Sequence, residues 1–189
     1  MIRRAALVAS ISLATLALPA LAQDAGTLKK IKDTGTATMG VRESSGGLSF
    51  TVGDGKFAGF HVELCQRALG DVQKQLGMAK LDIKYQPVTS QNRIPLMQNG
   101  TIDIECGSTT NNATRQKDVS FAATTFVEEV RIAVKANSGI ASIGQLNGKN
   151  VATTTGTTSV QHLRKHERAT GVDFKEVYGK DHADSFLLL

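Results

Sequence analysis

Apolar residues at Val62, Cys65, Leu69, Val72 and Leu76 recur at alternating spacings of three and four. That is one stripe along a helix, and Gly77 is placed to stop it. Elsewhere the period changes. Thr36 to Val41 reads as a buried strand, and Leu81, Ile83 and Tyr85 alternate as another. Between them, Leu48 to Val52 and Lys56 to Phe60 flank Gly53-Asp54-Gly55, a hairpin signal. Ser90 can cap a helix that runs to Asn99 and ends at Gly100, before a short strand at Ile102 and Ile104. The alternation then repeats: a strand over Val130 to Val134, a short helix over Ile143 to Leu146, a strand over Val151 to Thr154, a helix after Gly156 and a strand over Phe174 to Tyr178. A short helix over Thr27 to Ile31 opens the series. Strands alternating with helices predict an α/β protein with mainly parallel sheets. No repeat, heptad or low-complexity tract interrupts it.

The first 22 residues stand apart from this pattern. Arg3 and Arg4, an apolar run from Ala5 to Leu18, and Ala20-Leu21-Ala22 have the form of a cleaved secretory signal. The run is too short for a convincing membrane span, and no cysteine near the cleavage site suggests a lipid anchor. A soluble periplasmic protein is expected. Removing 22 of 189 residues leaves 167, and the formal charge of +5 drops by the two arginines to +3. A pI near 9.3 could suggest nucleic acid. The basic residues are dispersed and aromatics few, so a mildly basic solvated surface is expected, with no nucleic-acid partner. At the other end, Leu187-Leu188-Leu189 closes the chain without cap, turn or charge, which suggests a chain that stops short of a full domain.

The chemistry concentrates between Ser90 and Phe121. This segment holds Arg93 and Arg115, the hydroxyl run Ser108-Thr109-Thr110, and a Gly-punctuated turn from helix to strand. Arginine's planar fork suits carboxylates because two parallel N–H bonds fix orientation as well as charge. Arg42, just past the buried strand, lies where α/β folds place ligand contacts. Gly156-Thr157-Thr158 offers N–H groups and a hydroxyl at a helix start, a second anion device. Each feature has a plainer reading: surface ion pairs for the arginines, a simple cap for Ser90 and for Gly156-Thr157-Thr158, and turn formation for Thr109, Asn111 and Asn112.

The order of these elements resembles the type II periplasmic binding proteins that serve ABC importers of polar amino acids. Met39-Gly40-Val41-Arg42, the RIPLMQNGTID block, Ser108-Thr109-Thr110, Arg115, Val119-Ser120-Phe121, Leu146-Asn147-Gly148-Lys149 and Gly156-Thr157-Thr158-Ser159 carry the likeness across nearly all the mature chain. The TSQNRIP and ECGSTTNN strings resemble the glutamate/aspartate branch. The resemblance implies a two-lobed fold: a first lobe over 23–126, then a hinge crossing and a partial second lobe over 127–189. It implies an acidic amino acid as ligand, a membrane permease as partner, a monomer when complete, and no cofactor. Arg115 would grip the α-carboxylate with Ser108 and Thr110, and Thr158, less directly Thr155, would close over it. Arg42, Ser90, Arg93 and His182 would surround the side-chain carboxylate. Relatives continue beyond Leu189, supplying an aspartate for the ammonium and the return to the first lobe. The second lobe is therefore expected to be incomplete and binding weak or absent.

Other groups carry less. A carboxylate neighbour, Asp181 or Asp184, would raise the pKa of His182 and make it cationic; a solvated loop histidine is the plain alternative. His61 reads as a helix-entry residue. His162 and His166 have the spacing of a metal pair but no third ligand nearby, so a basic helix face is favoured. Cys65 and Cys106 could form a disulfide in an oxidising compartment, though spacing does not establish proximity. Relatives carry a later cysteine, which leaves Cys106 without its partner and Cys65 as a buried helix residue. An enzyme on the same fold, a dehydratase or lyase acting on a small carboxylate, is the rival reading. No nucleophile-elbow motif or paired-carboxylate site supports it.

Overall fold

The computed structural model describes residues 21–189. The expected secretory signal falls on residues 1–22 and so lies almost wholly outside the described residues.

The first lobe is built around one largely buried strand. Helix α1 (Leu21–Thr34) leads into β1 (Thr36–Val41), which spans the stretch expected from its apolar run. β1 lies at the centre of a parallel sheet between β5 (Asp82–Pro87) and β6 (Ile104–Cys106). Ala37, Met39 and Val41 point to one face and are fully buried, against Ile31 of α1 and Val62 and Leu69 of α2 (Phe60–Gln75). Full burial of side chains the size of Met39, Val41 and Leu69 contributes roughly 1.5–3 kcal/mol each. The opposite face of β1 is just as crowded. A Cβ at Gly40 would come within 2.6 Å of Ile102, so Val88 and Ile102 fill the place a side chain would occupy.

Between β1 and α2 the chain forms β2 (Ser44–Ser45), β3 (Ser49–Gly53) and β4 (Lys56–Ala58), an antiparallel meander. Asp54 (φ 52°) and Gly55 (φ 68°) make its tight turn, as the Gly-Asp-Gly string predicts. The helix stripe from Val62 to Leu76 packs as read, and Gly77 follows in the left-handed conformation (φ 64°).

The helix expected from Ser90 is shorter, α3 (Arg93–Gln98), and Ser90 does not cap it. Thr89 and Asn92 exchange side-chain bonds instead: Asn92 N donates to Thr89 Oγ1 (3.2 Å) and Thr89 N to Asn92 Oδ1 (2.8 Å). Asp103, in the turn that follows, accepts from Thr38 N and Lys30 Nζ, both at 2.9 Å, and fastens α1 and β1 to the start of β6.

Cys65 and Cys106 form a disulfide, with Cα atoms 6.3 Å apart. Cys106 therefore has a partner within this chain, and the expectation that it had lost one is corrected. Cys65 faces the sheet along the α2 stripe, and Cys106 shares the core face of β6.

The second lobe is smaller. Strands β7 (Asn150–Thr154) and β8 (Lys175–Gly179) pair in parallel across α4 (Thr158–Thr170), and α5 (His182–Leu187) packs back on both. Its core is Leu146, Val151, Leu163 and Phe174. Gly171 (φ 74°) ends α4 as a left-handed cap. A capping box between Ser142 and Gln145 starts the short 3-10 turn at Ile143–Leu146.

The strand expected over Val130 to Val134 does not form. Residues 121–135 carry no regular element, and Val130 and Ile132 are exposed. β-branched residues favour a pleated surface only where a neighbouring strand takes up their backbone groups, and none lies beside them. This segment borders an open cavity of about 1040 Å³, lined also by Leu163, Val177 and Leu188.

Candidate functional site

The candidate side chains gather where the loops after β1, β5 and β6 meet the starts of α4 and α5. Arg42 follows β1 directly and is fully buried. Its backbone N–H donates to Ser49 Oγ at 2.9 Å, and its Nη1 reaches Ser108 Oγ at 3.4 Å. Ser108 lies just beyond β6, 3.0 Å from Ser45 Oγ. Gly107 makes this approach feasible: a Cβ there would fall 2.6 Å from Arg42 Cγ and collide with a Glu105 carboxylate oxygen. His61 holds the same loop, with Nδ1 donating to Gly107 O at 2.5 Å and Nε2 2.9 Å from Thr125 Oγ1. It is a bracket between α2 and the loop after β6, more than a helix-entry residue.

Arg93 opens α3 and is buried, yet its Nε and Nη1 have no hydrogen-bond partner. Ser90 Oγ is likewise buried and unpartnered. Burial pushes the Arg93 guanidinium down to about 10; the Glu105 carboxylate opposes that shift, and Arg42 and Arg115 add to it. Burial also lowers Arg115, again opposed by Glu105. Three guanidinium groups and one unpaired carboxylate oxygen thus act on one another in a small volume. Buried donors without acceptors are costly, on the order of 1–3 kcal/mol each and more for charged groups, and they mark where a ligand's acceptors belong.

Arg115 is placed by Asn112, whose Oδ1 accepts from the Arg115 backbone N–H at 2.9 Å. Its Nη1 donates to Thr110 O (3.0 Å) and its Nη2 to Gly156 O (3.2 Å), so it reaches across to the second lobe. Thr110 and Thr158 meet hydroxyl to hydroxyl at 3.3 Å. Gly156 (φ 79°) lies against first-lobe backbone, where a Cβ would come within 2.7 Å of Gln91 Cα and 2.8 Å of Ser90 O. Thr155 adjoins this cluster only through the chain: its backbone N–H donates to Gly179 O at 3.2 Å, and its side chain meets none of the other candidates.

His182, the first residue of α5, is part-buried with Nδ1 2.9 Å from Thr154 Oγ1. Its pKa is lowered, first by burial and then by the charges of Arg42 and Arg93, against which Asp181 pulls the other way. The expectation of a histidinium is corrected: beside two arginines and away from water, the neutral ring is favoured. Asp181 itself was not singled out as a site residue. It caps α5 through His182 N (2.8 Å) and forms an ion pair with Arg42, 139 residues away. Glu105 was also missed. It stands in the ECGS string but carried no separate signal.

Residues 37–184 match the bacterial extracellular solute-binding proteins, family 3. The chain belongs to this family. Among solute-binding relatives, it is 43% identical over 178 residues to an L-glutamate/L-aspartate-binding protein of Pseudomonas aeruginosa, covering 93% of this chain and 59% of that one. It is 41% identical over 163 residues to the glutamate/aspartate import solute-binding protein of Escherichia coli, covering 86% and 54%. The chain therefore spans little more than half the length of these relatives. Among solved structures, an ancestral amino-acid-binding protein, precursor of cyclohexadienyl dehydratase, superposes with a TM-score of 0.71 at 27% identity, over 85% of this chain and 68% of that one. The L-cysteine receptor of Neisseria gonorrhoeae shares the fold at 18% identity, with a TM-score of 0.68 over 86% and 63%. The family 3 solute-binding fold, type II and α/β with mainly parallel sheets, is that of this chain. No helix among the described residues is long and apolar enough to cross a membrane.

Proposed function

We propose that this family 3 chain captures an acidic amino acid, glutamate or aspartate, between its lobes and presents it to the membrane permease of an ABC importer. The observation that carries this reading is the set of buried donors without acceptors, Ser90 Oγ and Arg93 Nε and Nη1, beside Arg42 and Arg115. Such a site is rich in N–H donors and positive charge, which suits carboxylates and disfavours cationic ligands. An uncharged ligand would leave buried cations without partners, at a cost of several kcal/mol.

In this reading Arg115, Ser108 and Thr110 hold the α-carboxylate, Thr158 closes over it from the second lobe, and Thr155 stands behind. Arg42, Ser90, Arg93 and His182 enclose the side-chain carboxylate, with His182 as a neutral donor. Closure follows because ligand contacts on both faces bind the closed form better than the open one. The lobes divide near residues 126 and 127. The protein works in the periplasm after signal cleavage, as a monomer, by binding without turnover. The glutamate/aspartate binding of the Pseudomonas and Escherichia relatives supports this reading.

Isothermal titration of residues 23–189 with L-glutamate, L-aspartate, L-glutamine and L-arginine tests it. Heat from the two acids alone is the expected result, and Arg93→Ala should weaken it by about 2–5 kcal/mol. A preference for arginine, or silence from a folded chain at millimolar ligand, would overturn the reading.

A further inference from the structure

Among the described residues, Glu105 is the one acid with a buried oxygen, Oε1, that meets no hydrogen-bond donor. It lies part-buried on β6, opposite Gly40 in the sheet. Cys106 takes the core face, so Glu105 and Gly107 share the other face. There the carboxylate meets the stem of Arg42. A Cβ on Gly107 would come within 2.6 Å of Arg42 Cγ and would collide with Glu105 Oε1. Arg42 Nε and Arg93 Nε and Nη1 are buried and unpartnered as well. A buried acceptor and buried donors thus share one region without bonding to each other. Distance separates the two effects at work. A hydrogen bond fails beyond about 3.5 Å, whereas the Coulomb energy falls only as the inverse of separation. Glu105 accordingly opposes the loss of protons that burial imposes on Arg93 and Arg115, while occupying none of their N–H groups.

We infer that Glu105 determines specificity in this cleft as a stand-off counter-charge: it trims the positive charge of three arginines to what an acidic amino acid balances, and takes no donor from the ligand. The charge count supports this. Arg42, Arg93 and Arg115 against Glu105 and Asp181 leave one positive charge, whichever of them a ligand touches. Glutamate and aspartate carry one net negative charge at neutral pH. Glutarate and succinate, the same carbon chains without the ammonium, carry two. With Glu105 neutralised, the cleft would hold a second positive charge, suiting the dianions better and an ammonium worse. The inference rests on the acidic-ligand reading, in which all three arginines face the ligand.

Calorimetric titration of the parent and of Glu105→Gln, which keeps the side chain's shape, with L-glutamate and with glutarate tests it. The parent should prefer glutamate. The substitution should move the ratio of the two affinities about tenfold toward glutarate, the ligand with the extra negative charge. Glu105→Asp keeps the charge and should keep the preference for glutamate. A purely structural role would weaken both ligands alike. An unchanged ratio in Glu105→Gln, beside a parent that binds glutamate, therefore overturns the inference alone and leaves the functional reading standing. A parent that takes glutarate as readily as glutamate also overturns it, and that result needs no variant to fold. A folded parent silent to both ligands overturns the functional reading and the inference with it.

Discussion

The two lobes solve the same folding problem with unequal means. The first surrounds a largely buried strand with sheet on both sides, helices α1 and α2, and a disulfide. The second stands on two strands and a four-residue core, with Val127, Phe186 and Leu187 largely exposed. Arg42, Ser90, Arg93, Ser108 and Arg115 all come from the first lobe. The second contributes Gly156, Thr158, Asp181 and His182. The candidate charged groups are thus held mainly on the well-packed lobe, the arrangement that fixes their geometry best.

Removing the staple should break this contrast most sharply. A disulfide that closes a separation of 41 residues is worth about 4 kcal/mol in the chain-entropy account. Cys65→Ser with Cys106→Ser should lower the unfolding free energy of the first lobe by that order, obtained from the midpoint and slope of a urea titration. Core truncation comes next. Met39→Ala should cost about 3 kcal/mol and Leu163→Ala about 2 kcal/mol, because the less tightly packed second lobe can relax around the gap. Equal costs, read from the same titrations, would mean the two cores are packed alike.

A subtler difference lies in His182. Its folded pKa is below the ordinary 6.5, so the native state binds fewer protons and stability falls as pH drops through the region below 6.5. His182→Gln should flatten that acid limb in thermal melts between pH 5 and 8. Near pH 8 the variant should differ from the parent only through the lost bond to Thr154. At the bottom of the scale, Lys29→Ala should change stability by less than about 0.5 kcal/mol, since its partner Asp33 is equally solvated.

How much of this was legible depended on whether the cause was local. β1 could be read from Thr36 to Val41 because every second residue faces the core and the run ends at a charged residue. The α2 stripe was legible for the same reason. Val130 to Val134 had the same composition without a paired neighbour, and composition says nothing about neighbours. That Arg42, Arg93 and Arg115 come together in space was legible through their order along the chain. Cys65 with Cys106, and Arg42 with Asp181, were not. Each is a pairing across a long separation, created by the packing of α2 on β6 and of α5 on the loop after β1. Ser90 was misleading because Thr89, next to it, gives the same hydroxyl signal, and it is Thr89 Oγ1 that accepts from Asn92 N just ahead of the helix.

At Gly156 the first lobe's backbone fills the space a methyl group would need. A single alanine there would act as a doorstop, holding the jaws apart with no charge altered and every binding side chain in place. Such a permanently ajar form would let the cost of shutting be measured apart from the attraction of whatever is caught.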